Sequence, residues 1–456
     1  MAYLYSAAVR VAAPTAPGTQ TITAAGVGTP KAAILVVVGA TASGVARPDA
    51  ILGLGFTDGA AQRYVSWQSE SGQDTTNTDN WAGADALVQL IDQATNGQAG
   101  KAVFDGWVAD GIRLDWTDAP PVAHLVTVLF LYGADMQAKV GDFSTPAVVG
   151  GGTVVTGVGF EADHVLCMGA NREFNNTRSP HFWYTLGVAS NLSPSENVGL
   201  GGQFRNFRPR GDVAALLGST SLGSLVQANL DSPPTVSSGA KIDNYTSFGF
   251  RAQTTFAARS THYAYLALEY GGGGFAAGIA TTRTSLGVQT IATGFQPSTV
   301  LAVATTLDTE LSDGDTDAGS LGIGVGTSKA QYSSTVREED GAAPSNSQSL
   351  SESSFFSVGP SYGAAGYEAT LEEFGAASWS LNYSVAPAIG RKFLWMAFGS
   401  PEEDAVEDGP LRNTVAVSRC IPGDQPTYES RARRVIAWGA GAHPVVGFLH
   451  KPFHHP

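Results

Sequence analysis

The segment Gln289-Thr290-Ile291-Ala292-Thr293-Gly294-Phe295-Gln296-Pro297 leads straight into the apolar run from Val300 to Ala304. Two earlier segments begin alike. Thr21-Ile22-Thr23-Ala24-Ala25-Gly26-Val27-Gly28 precedes Ala33 to Val38, and Val154-Val155-Thr156-Gly157-Val158-Gly159-Phe160 precedes His164 to Met168. The glycines Gly28, Gly159 and Gly294 are spaced 131 and 135 apart. A second landmark, Leu52-Gly53, Leu186-Gly187 and Leu321-Gly322, is spaced 134 and 135; a third, Gly133, Gly271 and Gly399, is spaced 138 and 128. Separate landmarks in such agreement point to one unit of roughly 130 residues used three times.

Working outward from these landmarks, each copy reads as short strands bounded by Gly, Pro or Asp. Gly111-Ile112-Arg113-Leu114-Asp115-Trp116 alternates apolar and polar, as a half-buried strand does. After the turn Ala119-Pro120-Pro121, the stretch His124 to Tyr132 is almost continuously apolar, so it is covered on both faces. The third copy repeats this with Ala377 to Tyr383, a turn at Ala386-Pro387, and Phe393 to Phe398. Asp85 to Ile91 has apolar spacing that would also suit a short helix. Its counterpart Leu225-Val226-Gln227-Ala228 ends at the turn-rich Ser232-Pro233-Pro234, however, and Asn96-Gly97 is a hairpin turn signal, so we read strand, turn, strand. The expectation is an all-β chain of three tandem β-sandwich or jelly-roll-like domains at 1–134, 135–272 and 273–400. Residues 401–456 do not repeat and read as an extension that makes assembly contacts.

Composition agrees with this reading. Only 14% of the 456 residues are charged, against about 25% in an ordinary soluble chain. Glycine fills 55 positions, which suits strands joined by tight turns and fits a helical bundle poorly. The formal net charge of −14 shows no basic stripe for nucleic acid. The longest apolar run, Ala32 to Val38, is far short of the ~20 residues of a membrane helix. No secretory signal pattern opens the chain, and Cys167 and Cys420 make no disulfide framework, so folding in a reducing cytoplasm is expected.

Candidate sites are few. No nucleophile elbow, phosphate loop or His-Glu-x-x-His is present, and we expect no enzyme activity. Glu338-Glu339-Asp340 and Glu372-Glu373 would be the acid/base pairs of a glycosidase, but read as solvated acidic loops. Asp313, Asp315 and Asp317 place carboxylates at alternate positions, the spacing by which a calcium loop converges oxygens, although the glycine falls late and no closing Glu follows. Beyond this calcium candidate no cofactor is expected. Trp81, in the polar loop Thr78 to Gly83, is the tryptophan placed to stack on a glycan, whereas Trp116 and Trp379 lie in alternating strands and read as core. His450, Phe453, His454 and His455 crowd the C-terminal extension and are its candidate assembly residues, with metal binding at a symmetry axis as the sharper alternative.

The signature Gln-x-Ile-x-x-Gly-Phe-x-Pro, complete at Gln289 to Pro297, resembles repeated β-domains in virion proteins of tailed bacteriophages. The first copy keeps Gln20, Ile22, Gly28 and Pro30 but has Thr29 for the aromatic, and the second keeps Gly159-Phe160 but has Glu161-Ala162 where Gln-Pro would fall. The likeness covers about residues 18–400. It implies a structural place in a virion assembled in the host cytoplasm, most naturally in the tail or its fibres, and transfers no catalytic residues. Capsid decoration, or an adhesin binding a host surface glycan, is the alternative. Expected partners are other virion proteins, in a symmetric homo-oligomer or with the chain itself as a pseudo-threefold monomer, and neither nucleic acid nor membrane.

Overall fold

The apolar runs and turn signals become 32 β-strands, with no helix among the described residues. The computed structural model describes residues 4–170, 173–191, 197–204, 213–218, 224–227, 235–257, 260–270, 274–306, 319–339, 342–358 and 366–399. Contacts divide the chain into units Met1–Asp404 and Ala405–Pro456, and everything described lies in the first.

The first eleven strands are β1 (Tyr5–Ala12), β2 (Gly18–Thr23), β3 (Ala32–Val38), β4 (Arg47–Pro48), β5 (Ala50–Thr57), β6 (Gln62–Ser69), β7 (Thr78–Gly83), β8 (Val88–Ile91), β9 (Gln98–Val108), β10 (Gly111–Asp118) and β11 (Leu125–Tyr132). They make an inner sheet ordered β1-β11-β3-β5-β6-β7 and an outer sheet ordered β2-β10-β9-β8.

Next come β12 (Gln137–Thr145), β13 (Gly152–Val155), β14 (His164–Gly169), β15 (Thr177–Pro180), β16 (Phe182–Ser190), β17 (Val198–Phe204), β18 (Val213–Gly218), β19 (Ser224–Gln227), β20 (Thr235–Thr246), β21 (Gly249–Ala257) and β22 (Thr261–Glu269). Their inner order is β12-β22-β14-β16-β17-β18 and their outer order β13-β21-β20-β19.

The last ten are β23 (Phe275–Thr281), β24 (Gly287–Ala292), β25 (Thr299–Thr305), β26 (Gly319–Thr327), β27 (Gln331–Glu338), β28 (Ser347–Glu352), β29 (Phe356–Val358), β30 (Tyr367–Gly375), β31 (Ser378–Val385) and β32 (Lys392–Phe398). They pair as β23-β32-β25-β26-β27-β28 and β24-β31-β30-β29. The three sandwiches therefore share one strand order, and every pairing is antiparallel.

Two strands depart from this tidy division. β15 leaves the second sandwich to extend the first inner sheet beyond β7, and β4 leaves the first to extend the third inner sheet beyond β28.

Side-chain alternation explains why the inner strands are apolar on both faces. Ala33, Leu35 and Val37 point into the first sandwich's own core with Ile112, Leu114 and Trp116 of the outer sheet. Ala32, Ile34 and Val36 point the other way, into a core shared with Leu166 and Met168 of the second sandwich and Leu301 and Val303 of the third. A lone two-sheet sandwich covers only one face of each sheet; here the second cover is the neighbouring sandwiches. A void of about 30 Å³ lies where Ile34, Leu54, Leu166, Leu186, Leu301 and Ile323 converge.

The repeated glycines have backbone reasons. Gly28, Gly159 and Gly294 have φ of 66°, 90° and 81°, a region that disfavours a Cβ, and each turns the chain between outer and inner sheets. Gly55 and Gly324 let the outer layer close in: a Cβ there would stand 2.1 Å from the Leu87 carbonyl or 2.4 Å from that of Phe355.

Candidate functional site

Asp79, Glu338 and Arg10 are largely buried charged groups that lie at seams between sandwiches. At the first seam β15 lies along β7, with Thr177 opposite Ala82 and Pro180 opposite Asp79. The proline ends an edge strand, where a missing N–H is tolerated. Asn176 N–H donates to the Ala82 carbonyl (3.0 Å) and His181 N–H to that of Thr78 (2.7 Å), bracketing the short strand. Asn176, at φ 61°, also accepts the Ala84 N–H through Oδ1 (2.9 Å). Arg178 donates to the buried Asp79 carboxylate (2.8 Å), as does Gln68 (3.1 Å), and the Asn96 amide lies within reach of both Asp79 and Arg178. Burial pushes the Asp79 carboxyl up, against the pull of Arg178 and Gln68.

Trp81 belongs to this seam. It sits in β7 rather than in a polar loop, half-buried and paired with Arg178, and its indole nitrogen is buried without a hydrogen-bond partner. The structure thus places Trp81 in a strand between two neighbours and not in a loop.

At the second seam β4 meets β28, and the first sandwich grips the third through serine. Ser345, Ser347, Ser349 and Ser351 are all buried and, at alternate positions, share one face. Ser349 Oγ donates to the Asp49 carbonyl (2.6 Å) and accepts the Ile51 N–H (2.8 Å). Ser345 exchanges bonds with Glu70, Gly72 and Gln73. Ser69 donates to Glu338 (2.9 Å) and shares a hydrogen bond with Ser347 (2.8 Å). Glu338 thus corrects the expectation of a solvated acidic loop: it is fully buried on β27, because the seam supplies its hydroxyl donor. Glu372 and Glu373 are exposed, though on β30 and not in a loop. Farther along, Arg10 of β1 donates to the carbonyls of Glu352 (2.8 Å) and Ser333 (2.9 Å) and lies 4.5 Å over the Tyr332 ring; burial lowers its pKa to about 10. Only the alternating serines were a legible sign of this seam, as a strand with one polar, small-residue face.

The third seam is aromatic. The His164 ring stacks on Phe275 at 3.6 Å between centroids and tilts against Tyr270 at 5.3 Å. Both of its nitrogens are buried without a hydrogen-bond partner, and that burial lowers its pKa to about 3. Cys167, next to this strand's core positions, is buried too, which pushes its thiol up.

Asp313, Asp315 and Asp317, and His450, Phe453, His454 and His455, lie outside the described residues. Among the described residues, no group of three His, Cys, Asp or Glu is placed to hold a metal ion. No family profile matches the chain, and no curated protein matches it.

Proposed function

We propose that this chain is a non-enzymatic structural component of a tailed-phage virion, associated with the tail or its fibres, and that it acts as a covalent mimic of a trimer. The observation that supports this reading is the strand exchange at two of the seams. The second sandwich lends a strand to the first, the first lends one to the third, and all three bury a face in one core. Subunits of symmetric oligomers interlock in this way, and one chain built so can occupy a threefold position without assembling from copies. The seams also engage the clustered charges Arg10, Asp79 and Arg178 in structural pairing. Mass spectrometry and electron microscopy of phage particles purified from cells that make the chain test the proposal. The expected result is the chain at a fixed copy number on threefold or pseudo-threefold positions of the tail. Finding it on the head would replace tail by capsid decoration, and absence from particles would overturn the virion assignment.

A further inference from the structure

A groove of about 490 Å³ runs along β1, in the size range of ligand sites. β1 ends its sheet, pairing with β11 on one side only. Residues 5–9 line the groove without a gap, so it follows the strand's backbone edge and not one side-chain face. Residues 24–26 form one wall, and Ser298 with residues 327–330 of the third sandwich the other.

The corresponding edge of the second sandwich shows what such a strand binds. There β12 pairs with β22 in the register that β1 keeps with β11, so that Val140, opposite Leu266, corresponds to Ala8, opposite Leu129. Val140 N–H donates outward to Asp58 Oδ2 (2.9 Å), whose carboxylate also lies 3.8 Å from Lys139. Asp58 heads the β5–β6 turn, where its Oδ1 accepts the N–H groups of Ala60 and Ala61 (2.8 and 2.6 Å). Thr327 heads the β26–β27 turn in the same manner, its hydroxyl accepting from Lys329 and Ala330 (3.3 and 3.1 Å). A hydroxyl has no second oxygen to reach across the seam. The carboxylate that closes the edge of β12 thus has no counterpart at β1, and in its place lies an open groove whose one charged lining residue is Lys329. Tyr5, 37% exposed, stacks on Tyr132 at 5.6 Å and offers a flat flank at the end of the groove.

We propose that this groove binds an extended, carboxylate-bearing peptide segment of a partner protein as an added strand on β1, its carboxylate seated between the β1 edge and Lys329. Exposed strand edges template such pairing, with main-chain bonds for affinity and side-chain pockets for specificity. The assignment stands whether or not the chain belongs to a virion.

The test uses the full chain and a pool of acetylated, amidated hexapeptides alternating Thr and Val around one Asp. Binding is read by fluorescence polarisation and by amide hydrogen exchange. Saturable binding with slowed exchange confined to residues 5–9 is expected. Replacing the peptide's Asp with Asn, or Lys329→Glu in the protein, should weaken it at least tenfold. Thr327→Asp, which restores the missing carboxylate from within, should abolish binding without lowering the melting temperature. No binding at millimolar peptide overturns the proposal, as does binding unmoved by Thr327→Asp. Preferential binding of oligogalacturonate, run in parallel as an acidic glycan, would reassign the groove to sugar.

Discussion

His164 is an imidazole used as an aromatic plate. Stacked on Phe275 with neither nitrogen hydrogen-bonded, it stays neutral in the folded protein down to about pH 3, whereas an exposed histidine takes up its proton near pH 6.5. Below pH 6.5 the unfolded chain therefore binds one proton more than the folded chain. Folding stability from this site is fully present above that pH and declines by about 1.4 kcal/mol per unit as pH falls toward 3. His164→Phe should remove this component, and urea unfolding of both proteins between pH 7 and 4 measures it. An unchanged pH slope in the variant would show that His164 is not its source. Single residues differed in how far they could be read. Trp116 and Trp379 are fully buried, as their alternating strands required, because the pattern that buries them is local. Trp81 lies in β7 between Ser66 of β6 and Arg178 of β15, and the second partner is 97 positions away, beyond the reach of a local pattern.

Short elements carry the exchange between sandwiches. β4 has two residues and β15 four, and each contains a proline, so neither resembles a strand in sequence. Each forms because a sheet edge elsewhere supplies its pairing. Asp49 fixes the path out of β4: it holds φ 72°, donates its N–H to Ser347 (2.9 Å), and accepts the Ser71 N–H on its carboxylate (2.8 Å). Asp49→Ala removes that acceptor and places a residue less tolerant of positive φ. A loss of about 2 kcal/mol in chemical denaturation is expected, with Asp49→Asn well below it. Equal losses for the two variants would mean that neither the backbone conformation nor the acceptor is what matters.

At the scale of the molecule, the shared core makes the sandwiches interdependent. Residues 135–272 alone would expose Leu166, Met168, Leu186, Val188 and Leu266, an apolar face larger than soluble monomers ordinarily leave open. That fragment should aggregate or bind a hydrophobic dye, while residues 1–404 melt in a single calorimetric transition. A soluble, independently melting fragment, or three separate transitions in 1–404, would show that the common core contributes little to cohesion.

Strand character, antiparallel hairpins and the two-faced inner strands follow from local residue order, since period-two alternation, tight-turn glycines and runs of β-branched residues act over a few positions. What covers the second face, which edge receives β4 or β15, and where an edge is left open were decided by the fold. These depend on contacts between residues hundreds of positions apart, and a serine, a histidine or a threonine has the same local preferences whichever surface it comes to meet.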